Sequence, residues 1–187
     1  MIIDTTFDGY RLTVEKIGGV TLYSQCDPRW RNLIYAGNTT FCMAGCYVVS
    51  VAMMLSLAGY DDTPPVVAAN LRDAGCFSGN LLTRPQNISD VYSRVRYEGT
   101  YQWHAGPADM SRIRSSLETG PTIIEVDFRP GQEFHQHFVV AERLVDDDII
   151  IADPQDGTRT KLMERYAQGH WDLGRAIYGL RLLRPCV

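Results

Sequence analysis

Cys46 is a candidate nucleophile because of its position in the sequence. It follows Gly45 and opens the apolar run CYVVSVAMML, which predicts a helix that starts at this cysteine. A thiol attacks as the thiolate, and a helix N-terminus or an adjacent imidazolium lowers the free thiol pKa of about 8.5 to about 3.5–7.5. Gly45 would let the chain enter the helix sharply. The alternative is a buried packing residue, which free cysteines often are.

His137 is a candidate general base. Residues 134–141 alternate in polarity and then become continuously apolar, which predicts a strand entering a core. His135 and His137 are two apart and would share a face of this strand. We favour His137 because it adjoins the buried run, where a base is held rigidly. A metal site is the alternative for a His-x-His pair, but no third ligand follows at a recognisable spacing, so no metal is expected.

Asp153 is a candidate partner for His137. The run of three aspartates at 146–148 predicts a turn between two strands, so that His137 and Asp153 would lie on paired antiparallel strands. A carboxylate that accepts from the imidazole fixes its tautomer and supports the imidazolium. The alternative is structural, since Asp-Pro pairs often end a strand and begin a turn.

Gln25 is a candidate oxyanion donor, about twenty residues before Cys46. Acyl transfer needs donors aimed at the oxygen on which charge develops, and a side-chain amide with a backbone N–H supplies them. Taken alone, this glutamine would be an ordinary loop residue. Its weight comes from the order Gln, Cys, His, Asp along the chain.

The remaining pattern predicts an α+β fold, with helices early and antiparallel strands late. The region 24–45 is expected to be rich in loops, 1–22 to hold short strands with a turn at Gly18, and 166–174 to be a loop or short helix. We expect 1–187 to be a single domain with 1–20 as a small extension. The predicted helices cover 46–58, 64–74, 88–94 and 107–118, and the strands 96–101, 122–128, 137–143, 149–153 and 176–183.

Composition excludes several classes of protein. The net charge of −4 and the pI near 5.5 argue against nucleic acid as a main partner. No apolar run approaches the roughly 18 residues of a membrane span, and no signal peptide is seen, so cytoplasmic synthesis is expected.

The five cysteines are an odd number without framework spacing, and a reduced compartment would suit a working thiol. The spacing of Cys42 and Cys46 would also allow zinc or redox chemistry, but no second cysteine pair supports it.

Taken in order, these segments resemble the double-glycine-leader, bacteriocin-processing type of cysteine peptidase, in its stand-alone or phage-endolysin form. The resemblance covers about 20–160 and is carried by YSQCDPRW at 23–30, by 37–46, by Thr63-Pro64, and by 120–123, 137–140 and 153–157. It implies a papain-like fold whose nucleophile helix packs on a C-terminal antiparallel sheet. It further implies Cys46 as nucleophile, His137 as base, Asp153 as orienting acid and Gln25 as oxyanion donor. Endolysins with similar domains cut peptidoglycan peptides, and such a protein would reach the cell wall on release during lysis.

Two residues depart from that family pattern. Tyr47 follows the nucleophile where a small residue is expected, which bears on the width of the cleft, and Phe138 stands where tryptophan is frequent. The expected function is a cysteine peptidase or amide hydrolase without cofactor, acting on a peptide or a peptidoglycan peptide. A non-catalytic peptide-binding domain and a thiol acyltransferase or deamidase are the alternatives. Oligomeric state is not readable from the sequence.

Overall fold

The computed structural model describes residues 3–7, 10–14, 19–129, 133–167 and 172–186, so the turn predicted at Gly18 lies outside it. The helices are α1 (Phe41–Ala44), α2 (Cys46–Leu57), α3 (Pro64–Asp73), α4 (Ile88–Val91), α5 (Met110–Thr119), α6 (Leu162–Tyr166) and α7 (Leu173–Ala176), with a 3-10 turn at Pro85–Asn87. None of these helices is both long and apolar enough to span a bilayer. The strands are β1 (Ile3–Phe7), β2 (Tyr10–Val14), β3 (Ile34–Ala36), β4 (Thr39–Thr40), β5 (Phe77–Ser78), β6 (Leu81–Leu82), β7 (Val95–Gln102), β8 (Thr122–Asp127), β9 (Gln136–Val145), β10 (Asp148–Asp153), β11 (Thr158–Lys161) and β12 (Ile177–Pro185).

Six of these strands form an antiparallel sheet in the order β11-β10-β9-β8-β12-β7. The β9–β10 hairpin predicted from the aspartate run is present, and Asp146 takes the positive φ of 55° that its turn requires. The pairing of Ala152 with Val140 in this hairpin brings the end of β10 beside the start of β9. The α+β prediction is therefore confirmed, and the hairpin holds His137 and Asp153 on neighbouring strands.

Helix α2 is buried along nearly its whole length and contacts β8, β9 and β12. Its apolar residues occur on every side, as expected for a central helix that packs on all faces. The buried hydroxyl of Ser50 donates a hydrogen bond of 3.2 Å to the carbonyl of Phe138 on β9. This bond fixes α2 against the strand one residue beyond His137.

The sheet separates two apolar cores. On β9, Phe138 and Val140 pack in the core that contains α2, whereas Val139 and Ala141 pack in the core that contains residues of α5 and α6. By the same alternation, His137 belongs to the strand face that meets α6.

Several element boundaries differ from the predictions. Helix α5 begins at Met110 rather than 107, because the Asp109 carboxylate accepts from the backbone N–H groups of Ser111 and Arg112 and caps the helix there. The region 24–45, predicted as loop, contains β3, β4 and α1. Strand β11 and helix α6 were also missed.

A disulfide joins Cys26 and Cys42. No disulfide framework is expected from the cysteine spacing, and this pair corrects that expectation for two of the five cysteines. Cys46, Cys76 and Cys186 remain free thiols. The bond ties the loop that carries Gln25 to α1, directly before α2.

Candidate active site

Cys46 is the first residue of α2, as predicted, and is 8% exposed. Gly45 precedes it with an ordinary helical φ of −76°, so glycine is not needed here for its backbone freedom. A Cβ at Gly45 would instead lie 2.6 Å from the carbonyl oxygen of Phe41. The close passage of α1 against this position is the reason why only glycine fits before Cys46.

His137 lies near the start of β9 and is 3% exposed. Its Nε2 is 2.9 Å from Oδ1 of Asp153, and the nearby Cys46 thiol also interacts with its ring and favours the protonated form. Because Nε2 is engaged by the carboxylate, Nδ1 is the ring nitrogen left for Cys46. The structure therefore brings together the thiol, imidazole and carboxylate that the sequence singled out.

Asp153 ends β10 and is fully buried. Oδ1 also accepts from the backbone N–H of Gln155 at 2.8 Å. Oδ2 accepts from the hydroxyl of Tyr166 and lies 3.0 Å from Nε of Arg165. Both carboxylate oxygens are thus held by two donors each.

The electrostatics of His137 and Asp153 favour an ion pair. Burial alone would lower the pKa of His137, but its hydrogen bonds and charge interactions with Asp153 and Cys46 raise that pKa to about 9. Burial alone would raise the pKa of Asp153, but His137, Tyr166 and the N–H of Gln155 hold it below its usual value. An imidazolium beside a thiol is the setting in which thiolate forms readily.

Gln25 is 4% exposed and lines the same cleft as Cys46. Its Nε2 donates to the carbonyl of Cys42 at 3.1 Å, and its backbone N–H donates to the carbonyl of Pro154 at 2.6 Å. Among the described residues, its Oε1 has no hydrogen-bond partner. Since an amide nitrogen carries two hydrogens, Nε2 keeps one that is not used by Cys42.

His135 does not share the strand position of His137. It lies one residue before β9, is exposed, and its Nδ1 contacts the carbonyl of Glu133. It lines the cleft but contacts neither Asp153 nor Cys46 in the hydrogen bonds of the described chain. His137 is therefore the histidine that the structure places at the thiol.

The cleft has a volume of about 680 Å³, in the usual range for a ligand site. Tyr47 and Phe138, the two residues that depart from the pattern of the resembled family, stack with ring centroids 4.4 Å apart. Arg181 interacts electrostatically with Tyr47 and pairs with buried Glu125 at 2.9 Å. Tyr47 thus forms part of a fixed cleft wall. Exposed apolar side chains at the cleft include Met43 and Leu81.

Tyr166 and Arg165 were not among the predicted site residues. Both lie on α6, in a region without a strong apolar period, and their contact with Asp153 depends on tertiary packing. The one signal available from sequence was the presence of a tyrosine and an arginine shortly after the predicted strand that ends at Asp153.

Comparisons with known proteins were made on the whole chain. A family model described as the Peptidase_C39 like family matches residues 17–175, a range that contains Gln25, Cys46, His137 and Asp153. No curated protein matches.

Three solved structures are similar to the chain. The first is a double glycine motif protease from an AMS/PCAT transporter in complex with the leader peptide, with 20% identity over 75% of this chain and 84% of that one, at a TM-score of 0.47. The second is the peptidase domain of Streptococcus ComA, a bi-functional ABC transporter of a quorum sensing pathway, with 18% identity over 75% and 90%, at 0.46. The third is a C39-like peptidase from Bacillus anthracis, with 14% identity over 89% and 98%, at 0.48.

Proposed function

Because the chain belongs to the Peptidase_C39 like family, we propose that it cleaves peptide bonds with Cys46 as nucleophile, His137 as acid and base, Asp153 as the group that orients His137, and Gln25 as an oxyanion donor. One observation carries the proposal. Cys46 and His137 line the same cleft and their side chains interact, while Nε2 of His137 is 2.9 Å from Oδ1 of Asp153, and the cleft is large enough for a peptide segment.

The first chemical step forms the acyl-enzyme. The sulfur of Cys46 attacks the substrate carbonyl carbon, and the carbonyl electrons move to oxygen. The spare N–H of Gln25 Nε2 and the backbone N–H of Cys46 donate to that oxyanion, since a helix-starting N–H has no partner within the helix. The oxyanion then collapses, the C–N bond breaks, and His137 gives its proton to the leaving amine.

The second step releases the product. His137, now neutral, takes a proton from water as the water oxygen attacks the thioester carbon. The C–S bond breaks, the new carboxylate product leaves, and Cys46 and His137 return to the thiolate–imidazolium pair. Asp153 stays ionised throughout and holds Nδ1 of the ring toward sulfur.

The substrate class that we propose is a peptide segment held in the cleft. The similar transporter protease was solved in complex with the leader peptide, so a leader peptide is one candidate substrate. A peptide of peptidoglycan is the other. Incubation with a peptide library and, separately, with purified cell wall should show cleavage in one arm, and the arm that shows it identifies the source. Cleavage in neither arm would argue against a peptidase.

The assignment of the nucleophile is tested with Cys46→Ala. Removal of the attacking atom should lower turnover by at least about 10³-fold, as for other nucleophile removals. Cys186→Ser is the matched control because it removes an exposed free thiol and should keep full activity. Equal activity of Cys46→Ala and the native protein would reject the mechanism.

Two further outcomes separate the alternatives. A peptide that binds with equal affinity to the native and Cys46→Ala proteins and is cut by neither would indicate a binding domain. Transfer of the acyl group to an added amine, in preference to water, would indicate an acyltransferase. Both measurements use the same purified proteins.

A further inference from the structure

We propose that Tyr166 is a positioning residue of this site: its hydroxyl holds one oxygen of Asp153 while its ring packs on His137. The inference rests on the proposed function and extends it to α6, an element that contributes no residue to the predicted set. Tyr166 is 2% exposed and is not among the described residues that line the cleft. We infer that it acts on the reacting groups through these two contacts.

The two carboxylate oxygens of Asp153 have separate tasks. Oδ1 accepts from Nε2 of His137 and from the N–H of Gln155, whereas Oδ2 accepts from the hydroxyl of Tyr166 and faces Nε of Arg165. A carboxylate offers about four lone-pair sites, and all four are used. Rotation of the carboxylate would break several bonds at once, so Oδ1 stays aimed at His137.

The ring of Tyr166 holds the other partner of the same bond. Its centroid is 5.5 Å from that of His137, and Phe128 lies 5.1 Å from His137 and 6.2 Å from Tyr166. These three rings pack in mutually tilted orientations, which aromatic groups prefer to face-to-face stacking. One side chain therefore restrains both ends of the hydrogen bond between His137 and Asp153.

Arg165 contacts the same oxygen but is a weaker restraint. Its side chain is 27% exposed, and its Nη2 also pairs with Asp156 at 2.7 Å. Exposure screens its charge, and Asp156 competes for it. The hydroxyl of Tyr166 is buried, where a hydrogen bond to a carboxylate is stronger.

The titratable and charged groups around Asp153 determine how the site should depend on pH. They are His137 on β9, with Cys46 of α2 on its far side, and Tyr166 and Arg165 on α6, the latter shared with Asp156. The hydroxyl of Tyr166 is one of the donors that lower the pKa of Asp153. A carboxylate with a lowered pKa supports the site above that pKa and loses this effect as the pH falls. Without the hydroxyl, the loss should begin at a higher pH.

The test uses Tyr166→Phe, which keeps the ring and removes the hydroxyl. Tyr92→Phe is the matched control, because Tyr92 is equally buried and its hydroxyl accepts from Asn70, away from the site. The alkylation rate of Cys46 by iodoacetamide is followed from about pH 4 to about pH 10 by mass spectrometry, with Cys186 as internal reference. We expect the acidic limb for Cys46 to move to higher pH in Tyr166→Phe and to stay in place in Tyr92→Phe.

Turnover supplies a second measurement on any peptide that the native protein cuts. Tyr166→Phe should lower kcat roughly tenfold and change KM less than about twofold, because one hydrogen bond to a charged group is lost and no substrate contact is. If Tyr166→Phe and Tyr92→Phe have the same acidic limb and the same kcat, Tyr166 is only structural and the inference is overturned.

The failure of this inference can be told apart from failure of the mechanism. Alkylation needs no substrate, so it tests the role of Tyr166 even if no peptide is cut. Activity retained by Cys46→Ala would reject the proposed mechanism but would not decide whether Tyr166 positions Asp153. If Tyr166→Phe does not fold, proton NMR of the native protein takes its place. The hydroxyl proton of Tyr166 should then be protected from exchange and show a nuclear Overhauser effect to the ring of His137. Free exchange with water would overturn the inference.

Discussion

At the scale of single residues, the site depends on where His137 keeps its proton. Its pKa is raised to about 9 against the burial that would lower it, because Asp153 and Cys46 both favour the charged ring. A base that is already protonated at neutral pH can serve at once as the acid for the leaving amine. In the resting site His137 is therefore best described as an imidazolium that forms an ion pair with the carboxylate of Asp153.

This description predicts how activity depends on alkaline pH. On the alkaline side, activity should fall as the pH rises through about 9, where the ring of His137 loses its proton. The rate kcat/KM measured over this range checks it. A rate that keeps rising above pH 9 would contradict the ion pair.

The stability of the folded protein should also depend on the protonation of His137. A folded pKa raised above the ordinary value of about 6.5 contributes stability that is complete below about pH 6.5 and is lost as the pH rises through about 9. In denaturant unfolding, His137→Gln should flatten this decline. His135→Gln is the control, since His135 is exposed, and it should keep the native decline.

The positions of Cys46, His137 and Asp153 in the fold could be predicted from the sequence because each has a local signal. Cys46 opens an apolar helix, and His137 and Asp153 flank a recognisable hairpin. The roles assigned to them stay predictions until the variants are measured. Tyr166 has no such signal, because a tyrosine becomes a partner of Asp153 only when α6 packs under the sheet.

At the scale of elements, the junction of α1 and α2 sets the position of the thiol. The carbonyl of Phe41 passes so close to Gly45 that any side chain there would collide with backbone. The two helices meet without an intervening loop, so a shift at Gly45 is passed directly to Cys46.

Gly45→Ala tests this junction. The added methyl should cost about 1–3 kcal/mol of unfolding free energy, as overpacking does. It should also lower kcat by roughly 100-fold, because a small misplacement of a nucleophile is enough for that.

Gly106→Ala is the matched control, since a Cβ there meets nothing within 4 Å. It should change neither the unfolding midpoint nor the rate. A Gly45→Ala protein with native kinetics would show that the start of α2 tolerates the shift.

Elements with long apolar runs were predicted well, and short polar ones were not. Helix α2 and strands β8, β9 and β10 each bury an apolar run, and such a run marks a core element in the sequence. Strand β11 is the sequence TRTK, largely exposed, and forms only because β10 offers it a partner edge. Whether such a strand forms depends on its pairing in the tertiary structure.

At the scale of the whole molecule, the disulfide links two parts of the region 24–45, which the sequence predicts to be rich in loops. Counting five cysteines could not reveal it, because the pair is defined by how β3, β4 and α1 fold back on the segment of Gln25. The amide of Gln25 donates to the carbonyl of Cys42, one of the two bonded residues. The bond thus restrains Gln25, the proposed oxyanion donor, as well as the fold. The prediction that 1–187 form a single domain stays a prediction.

Removal of the disulfide by the double substitution Cys26→Ser and Cys42→Ser tests both effects. A bond that closes a separation of 16 residues should contribute about 3 kcal/mol of unfolding free energy. The kcat should fall as well, because Gln25 loses a fixed support. Denaturant unfolding and turnover are compared with Cys186→Ser, and an unchanged unfolding midpoint in the double variant would contradict the prediction.

Strand β12 lies inside the sheet, between β8 and β7, although it is the last element described in the chain. Its neighbours β8 and β7 end some fifty and seventy-five residues earlier in the chain. Their edges toward β12 have no partner strand until β12 has been synthesised. During synthesis on the ribosome, Cys46 is therefore made long before Asp153 and β12 exist. Since the proposed mechanism needs Asp153 as well as Cys46, we expect a growing chain to cut no peptide until translation has passed the far strands of the sheet.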